Sequence, residues 1–132
     1  MNILFFLTNK ADVFYMFEDD TVGEGLEKMK DRRYVAVPVI KKTGEYVGTV
    51  SEGDFLWSVV DSNGDVKKPN NETKVKDIIR NWWNHPVRVD ETMENLVFRM
   101  MNQNFVPVVD DRNFFMGIIT RKSLLSYLAN KE

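Results

Sequence analysis

The chain has 132 residues, 43% of them hydrophobic and 29% charged, with 18 Lys and Arg against 20 Asp and Glu. That balance is ordinary for a globular protein and offers no strongly basic face for nucleic acid. The absence of cysteine and the single histidine exclude a disulfide framework, a cysteine nucleophile and a histidine-rich metal site.

The first apolar run, Ile3 to Leu7, has no basic region before it and no small-residue cleavage pattern after it, so no signal peptide is expected. It should dock on the core as a short helix or irregular segment. No apolar run approaches the roughly 18 residues that cross a bilayer, which predicts a cytoplasmic protein without membrane contact. Val13 to Phe17 is β-prone and predicts a short strand. Thr21 and Glu24 have the spacing of a capping box, opening a helix through Arg32 with Val22, Leu26 and Met29 on its apolar face. Gly23 and Gly25 weaken that helix unless close packing requires them.

Tyr34 to Ile40 is nearly all apolar, as in a strand covered on both faces. Gly44 suits the positive φ of a turn, and Tyr46 to Val50 should return antiparallel. Ser51 is a good N-cap for a helix carrying Phe55, Leu56 and Val59. Asp61 to Thr73 is polar, with Asn-Gly and Pro-Asn breakers. Val75 to Trp83 then reads as a helix with Val75, Ile78, Ile79 and Trp82 facing inward. Trp83 falls off that face and suits a dimer contact. Pro86 to Val89 predicts a strand, and Thr92 opens a helix bearing Met93, Leu96, Val97 and Met100. Phe105 to Val109, Met116 to Thr120 and Arg121 to Leu128 predict two strands and a last helix.

The second half repeats the first. Pro38 and Pro107, Gly48 and Gly117, and Ser51 and Thr120 are each 69 positions apart. Thr21 and Thr92 are 71 apart, so the second copy has lost two residues between its helix and its Val-Pro-Val strand. The copies are 1–61 and 74–132, with 62–73 as linker. Halves of about 60 residues bury too little surface to be stable alone. The pattern predicts an α+β fold of two β-α-β-β-α repeats, packed sheet to sheet about a pseudo-twofold axis.

These residues resemble the CBS domain, named after cystathionine β-synthase, in its tandem arrangement, the Bateman module. In the first copy the resemblance rests on Asp19, Thr21, Leu26 and Met29, on VPVI from Val37, and on Gly48 to Leu56. In the second it rests on Asp90, Thr92, Leu96 and Met100, on VPVVD from Val106, and on Gly117 to Leu125. The resemblance implies a sensor of an adenosyl ligand: AMP, ADP, ATP, S-adenosylmethionine or, in some members, cyclic di-AMP. The family's ribose motif is glycine, two apolar residues, Ser or Thr, two variable residues and Asp, complete here in Gly48, Ser51 and Asp54. A helix N-terminus attracts phosphate, and a carboxylate one turn on can accept both hydroxyls of a ribose diol.

By the same resemblance, adenine would meet the stretch Tyr34, Val35, Ala36, Val37 and Pro38, with Tyr15 and Met16 as the other wall. The second copy has Ser123 where Asp is expected, which can bond one hydroxyl but holds a diol less firmly, and Thr120, Arg121 and Lys122 would lend donors to phosphates. The implied function is a stand-alone regulatory module, not an enzyme. It would bind AMP or ATP in the cleft between repeats and signal by conformational change to a protein partner, as a homodimer. A ligand-free oligomerisation or interaction domain and a cyclic di-AMP receptor are the alternatives.

Ordinary structural readings stand beside these. Ser51 and Asp54 are also good cap residues in a helix with no ligand. Arg32-Arg33 suits a solvated helix end, His85 a strand entrance, and Met29, Met93, Met100 and Met101 core packing. One histidine, no phosphate loop and no cysteine leave no catalytic constellation.

Overall fold

The computed structural model of the chain describes residues 2–32, 34–61, 72–81 and 83–130. The readings of Arg33, of linker residues 62–71 and of Trp82 lie outside the described residues. In chain order the elements are a 3-10 turn (Ile3–Phe6), β1 (Thr8–Asn9), a 3-10 turn (Lys10–Asp12), β2 (Met16–Phe17), α1 (Val22–Arg32), β3 (Ala36–Ile40), β4 (Tyr46–Ser51) and α2 (Glu52–Asp61). There follow a 3-10 turn (Val75–Ile78), β5 (Val87–Arg88), α3 (Met93–Met100), β6 (Phe105–Val109), β7 (Phe115–Thr120) and α4 (Arg121–Asn130). The described fold is mixed, with four α-helices and two sheets.

The chain forms two compact units, one of Phe14–Trp83 and one that joins Met1–Val13 to Asn84–Glu132. These units cut the chain differently from the sequence repeats. In the first unit β2 runs parallel to β3, and β3 runs antiparallel to β4. In the second the order is β1-β7-β6-β5, with β5 parallel to β6 and β1 antiparallel to β7. β2 pairs only with Val39 and Ile40, and β5 only with Val108 and Val109. Pro38 and Pro107 therefore sit where the middle strand has a neighbour on one side only, the setting in which a proline is tolerated in a sheet.

Each unit has its own core. In the first, Met16, Val22, Met29, Val37, Val39, Val50, Phe55 and Val75 are buried together. In the second, Ile3 and Phe6 join Val87, Leu96, Met100, Val106, Val108, Ile119 and Leu124. Phe5, Phe6 and Tyr127 meet edge to face at 5.1–5.7 Å, which docks the first turn on α4. The reading of Ile3 to Leu7 as a docking segment holds.

The capping box of α1 is present in both directions: the Thr21 N–H donates to Glu24 Oε1 at 3.0 Å and the Glu24 N–H to Thr21 Oγ1 at 3.1 Å. Gly25 has a packing reason. A Cβ there would lie 2.8 Å from Cζ of the buried Phe55 ring. Gly44 has the expected positive φ, 110°.

Several expectations need correction. Only Met16–Phe17 of the Val13–Phe17 stretch pairs as a strand, because Phe14 turns aside to stack on Tyr34. Val75 to Trp83 is not a continuous helix. A single 3-10 turn ends at Ile78, and Ile79 is extended at φ −77° and ψ 135°. Residues 73–76 instead run beside the start of α1, with Val22 N–H donating to Thr73 O, Val75 N–H to Asp20 O and Lys76 N–H to Glu18 O. Leu56 and Val97 are exposed, since the 3.6-residue period gives the core to Phe55 and Val59 on α2 and to Leu96 and Met100 on α3. Met101 is likewise exposed, in the turn after α3. Trp83 is half-buried against Arg80, whereas Trp57 on α2 is 63% exposed.

Candidate functional site

β4 delivers Ser51 to the start of α2, and the Glu52 N–H donates to Val35 O at 2.9 Å, holding the helix against the entry to β3. The Asp54 N–H donates to Ser51 Oγ at 3.1 Å, and the Ser51 N–H donates to Asp54 Oδ2 at 2.8 Å. Ser51 and Asp54 thus form a reciprocal cap, and a carboxylate in a first helical turn suits the dipole. The other oxygen of the carboxylate, Oδ1, lies 2.8 Å from Arg80 Nε. Arg80 Nη2 also donates to Ser51 Oγ at 3.3 Å, and the guanidinium carbon sits 4.2 Å from the centre of the Trp83 ring. The Asp54 side chain is only 9% exposed, against 36% for Arg80. This is a nearly buried carboxylate that faces the buried Nε of a half-exposed arginine.

Arg80 is the site residue that sequence reasoning missed. Read as the end of an inward-facing helix, it carried no signal of proximity to Asp54. The structure brings it there because Ile79 crosses over β4 at Gly48, where a Cβ would lie 2.5 Å from Ile79 Cγ2. The glycine of the ribose motif is therefore also the seat of the segment that carries Arg80.

The remaining predicted residues of the first copy divide by burial. Met16 and Val37 turn their side chains into the core, and Pro38 is buried on the opposite face of β3. Ala36 is half-buried and pairs with Ser51 across the strands. Tyr34 and Val35 are 46% and 60% exposed at the entry to β3, beside the start of α2. Phe14 stacks on Tyr34 with ring centres 5.4 Å apart and planes 20° from parallel, and the Arg32 guanidinium lies 5.0 Å from the Phe14 ring. Tyr15 packs edge to face on Phe17 at 5.8 Å.

The second copy preserves the frame and changes the chemistry. The Arg121 N–H donates to Asn104 O at 2.8 Å, matching Glu52 and Val35. The Ser123 N–H donates to Thr120 Oγ1 at 3.1 Å, but the Ser123 hydroxyl turns back to donate to Thr120 O at 2.9 Å. Arg121 donates from Nε to Met100 O at 3.0 Å and from Nη2 to Gln103 O at 3.1 Å. Those bonds make Arg121 a clamp on the end of α3. Thr120, Arg121 and Lys122 line an open cavity of about 560 Å³ with Asn104, Leu125, Ser126 and Ala129.

The CBS domain family model matches residues 7–66 and again 75–130, which together cover most of the chain. The chain belongs to the CBS domain family. Among curated proteins, it is 28% identical over 114 residues to an inosine-5'-monophosphate dehydrogenase of Methanocaldococcus jannaschii. That match covers 86% of this chain and 21% of the dehydrogenase, so the chain spans about a fifth of that enzyme's length. An uncharacterized protein of the same organism is 24% identical, over 86% of this chain and 84% of its own. Among solved structures, CbpB in complex with cyclic di-AMP superposes at a TM-score of 0.89 with 24% identity, covering 98% of this chain and 85% of that one. CBSX2 in complex with AMP superposes at 0.76 with 22% identity, covering 97% and 96%. These likenesses establish the CBS-pair fold.

Within that fold the described residues hold no group of three or more His, Asp or Glu side chains able to bind a metal ion. No described helix is long and apolar enough to cross a membrane.

Proposed function

We propose that this CBS pair is a regulatory, non-catalytic module that binds an adenine nucleotide, AMP or ATP, at the start of α2. The observation that carries the reading is the reciprocal Ser51–Asp54 cap. It presents a nearly buried carboxylate to a ribose diol, and the cation of Arg80 lies beside the place a phosphate would take. Tyr34 and Val35 offer an exposed apolar edge beside the start of α2 for a base. Ligand that favours one conformation of the pair shifts its population, and a partner protein reads the shift. The setting is cytoplasmic. Self-association is part of the reading, because α2 exposes Leu56, Trp57 and Val60 together and a tryptophan in such a patch suits an interface.

A second reading, a cyclic di-AMP receptor, is favoured by the likeness to CbpB in complex with that nucleotide. Thermal denaturation of the whole chain with AMP, ADP, ATP, S-adenosylmethionine and cyclic di-AMP tests both. A rise in Tm with AMP or ATP supports the first reading, and displacement of AMP by lower concentrations of cyclic di-AMP supports the second. No rise with any adenosyl compound overturns both and leaves a ligand-free interaction domain.

A further inference from the structure

We propose that Arg80 is the residue by which the site distinguishes a nucleotide from its nucleoside; the inference rests on the nucleotide reading of the Ser51–Asp54 site. The guanidinium touches both residues of the cap, with Nε 2.8 Å from Asp54 Oδ1 and Nη2 3.3 Å from Ser51 Oγ. Asp54 is the acceptor suited to ribose hydroxyls, and Ser51 opens the helix whose N-terminus attracts phosphate. Arg80 therefore lies at the junction between the places of the sugar and of the 5'-phosphate.

Three features hold it there. Ile79 is seated over Gly48, which fixes the backbone one residue earlier. The guanidinium lies against the Trp83 ring at 4.2 Å, and the ion pair with Asp54 sets its third contact. An arginine is always charged and presents a planar fork matched to phosphate, and stacking on an aromatic ring organises that fork in advance.

The consequence depends on ligand charge. A ribose that approaches Asp54 competes with Arg80 for the carboxylate. When the ligand carries a phosphate, the guanidinium gains a second anion as it yields part of the first, so the exchange is compensated. A neutral nucleoside gives no such return. The same cation thus opposes adenosine and favours AMP.

Calorimetric titration of the whole chain with AMP and with adenosine tests this, on wild type, Arg80→Gln and Arg80→Lys. Arg80→Gln is expected to weaken AMP binding about 10- to 100-fold, the range for loss of one charge-assisted hydrogen bond to phosphate. Adenosine binding should stay unchanged or tighten, because its competitor for Asp54 is gone. Arg80→Lys keeps the charge, loses the fork, and should fall between. Equal loss of AMP and adenosine affinity in Arg80→Gln, or an AMP-to-adenosine ratio equal to wild type in both variants, overturns the inference and leaves Arg80 a structural partner of Asp54. If Arg80→Gln does not fold, an Arg80→Lys ratio identical to wild type overturns it as well. Wild type that binds neither compound nor cyclic di-AMP overturns the nucleotide reading itself, and this inference with it.

Discussion

Replacing Asp54 by Asn keeps the shape of the side chain and removes its charge. One carbonyl oxygen remains to accept the Ser51 N–H, now bonded at 2.8 Å. The other corner becomes an NH2 group facing the Arg80 Nε, where a carboxylate oxygen stood at 2.8 Å. The Arg80 side chain is 36% exposed but its Nε is buried against the carboxylate, so solvent screens the lost ion pair only in part and the cost to folding is at least about 1 kcal/mol. For a chain of this length that is a fall in Tm of at least about 3–5 °C. The effect on ligand is larger, because the carboxylate is the acceptor proposed for two ribose hydroxyls. Loss of one charge-assisted bond weakens AMP about 10- to 100-fold. At AMP 100 times above the wild-type Kd, ligand stabilises wild type by about 2.7 kcal/mol and the variant by about 0.4–1.4 kcal/mol. Thermal denaturation of both proteins with and without AMP measures the two effects separately. A variant that keeps the full AMP-dependent rise in Tm refutes Asp54 as the ribose acceptor. An unchanged Tm without ligand refutes the contribution assigned to the ion pair.

Gly25→Ala gains about 1 kcal/mol in helix propensity but places a Cβ 2.8 Å from the buried Phe55 ring, an overpacking that costs about 1–3 kcal/mol. Chemical denaturation should show net destabilisation, and a more stable variant would show that Phe55 moves freely. Gly117→Ala should be worse, since φ is +150° and the Cβ would lie 2.1 Å from the Thr8 carbonyl oxygen. A loss above about 2 kcal/mol is expected, with faster proteolysis of the first ten or so residues. An unaltered protease pattern would argue against the β1–β7 pairing. The Thr21 backbone N–H holds the Glu24 carboxyl below its ordinary value of 4.5, with the Thr21 hydroxyl contributing next. The folded value is depressed, so this stabilisation is complete above pH 4.5 and is lost as pH falls through the lower folded value. Wild type should exceed Glu24→Gln in stability at neutral pH, with the difference closing in acid. A difference constant down to pH 2 would contradict that.

Local chemistry was legible where neighbours in sequence are partners in space. The α1 capping box joins Thr21 to Glu24, and the α2 cap joins Ser51 to Asp54, so three-residue spacing suffices to read each. The hairpins from β3 to β4 and from β6 to β7 follow from short polar turns between apolar runs. The difference between Asp54 and Ser123 was also visible, and the structure gives it form: one residue accepts from a backbone N–H, the other donates to a backbone carbonyl.

What the sequence by itself determined is the duplicated β-α-β-β-α pattern, its family and the residues that open α2 and α4, because periodicity and capping act over a few residues. Only the tertiary structure decided which segments cross between repeats and what they bring. Thr8–Asn9 pairs with β7 at Gly117, and Ile79 covers Gly48, so two glycines at the same place in the repeat each admit a strand or side chain from far along the chain. The second crossing sets Arg80 against Asp54 across 26 positions. A long-range contact of this kind follows from where a glycine leaves room for a distant segment, and no local pattern encodes it.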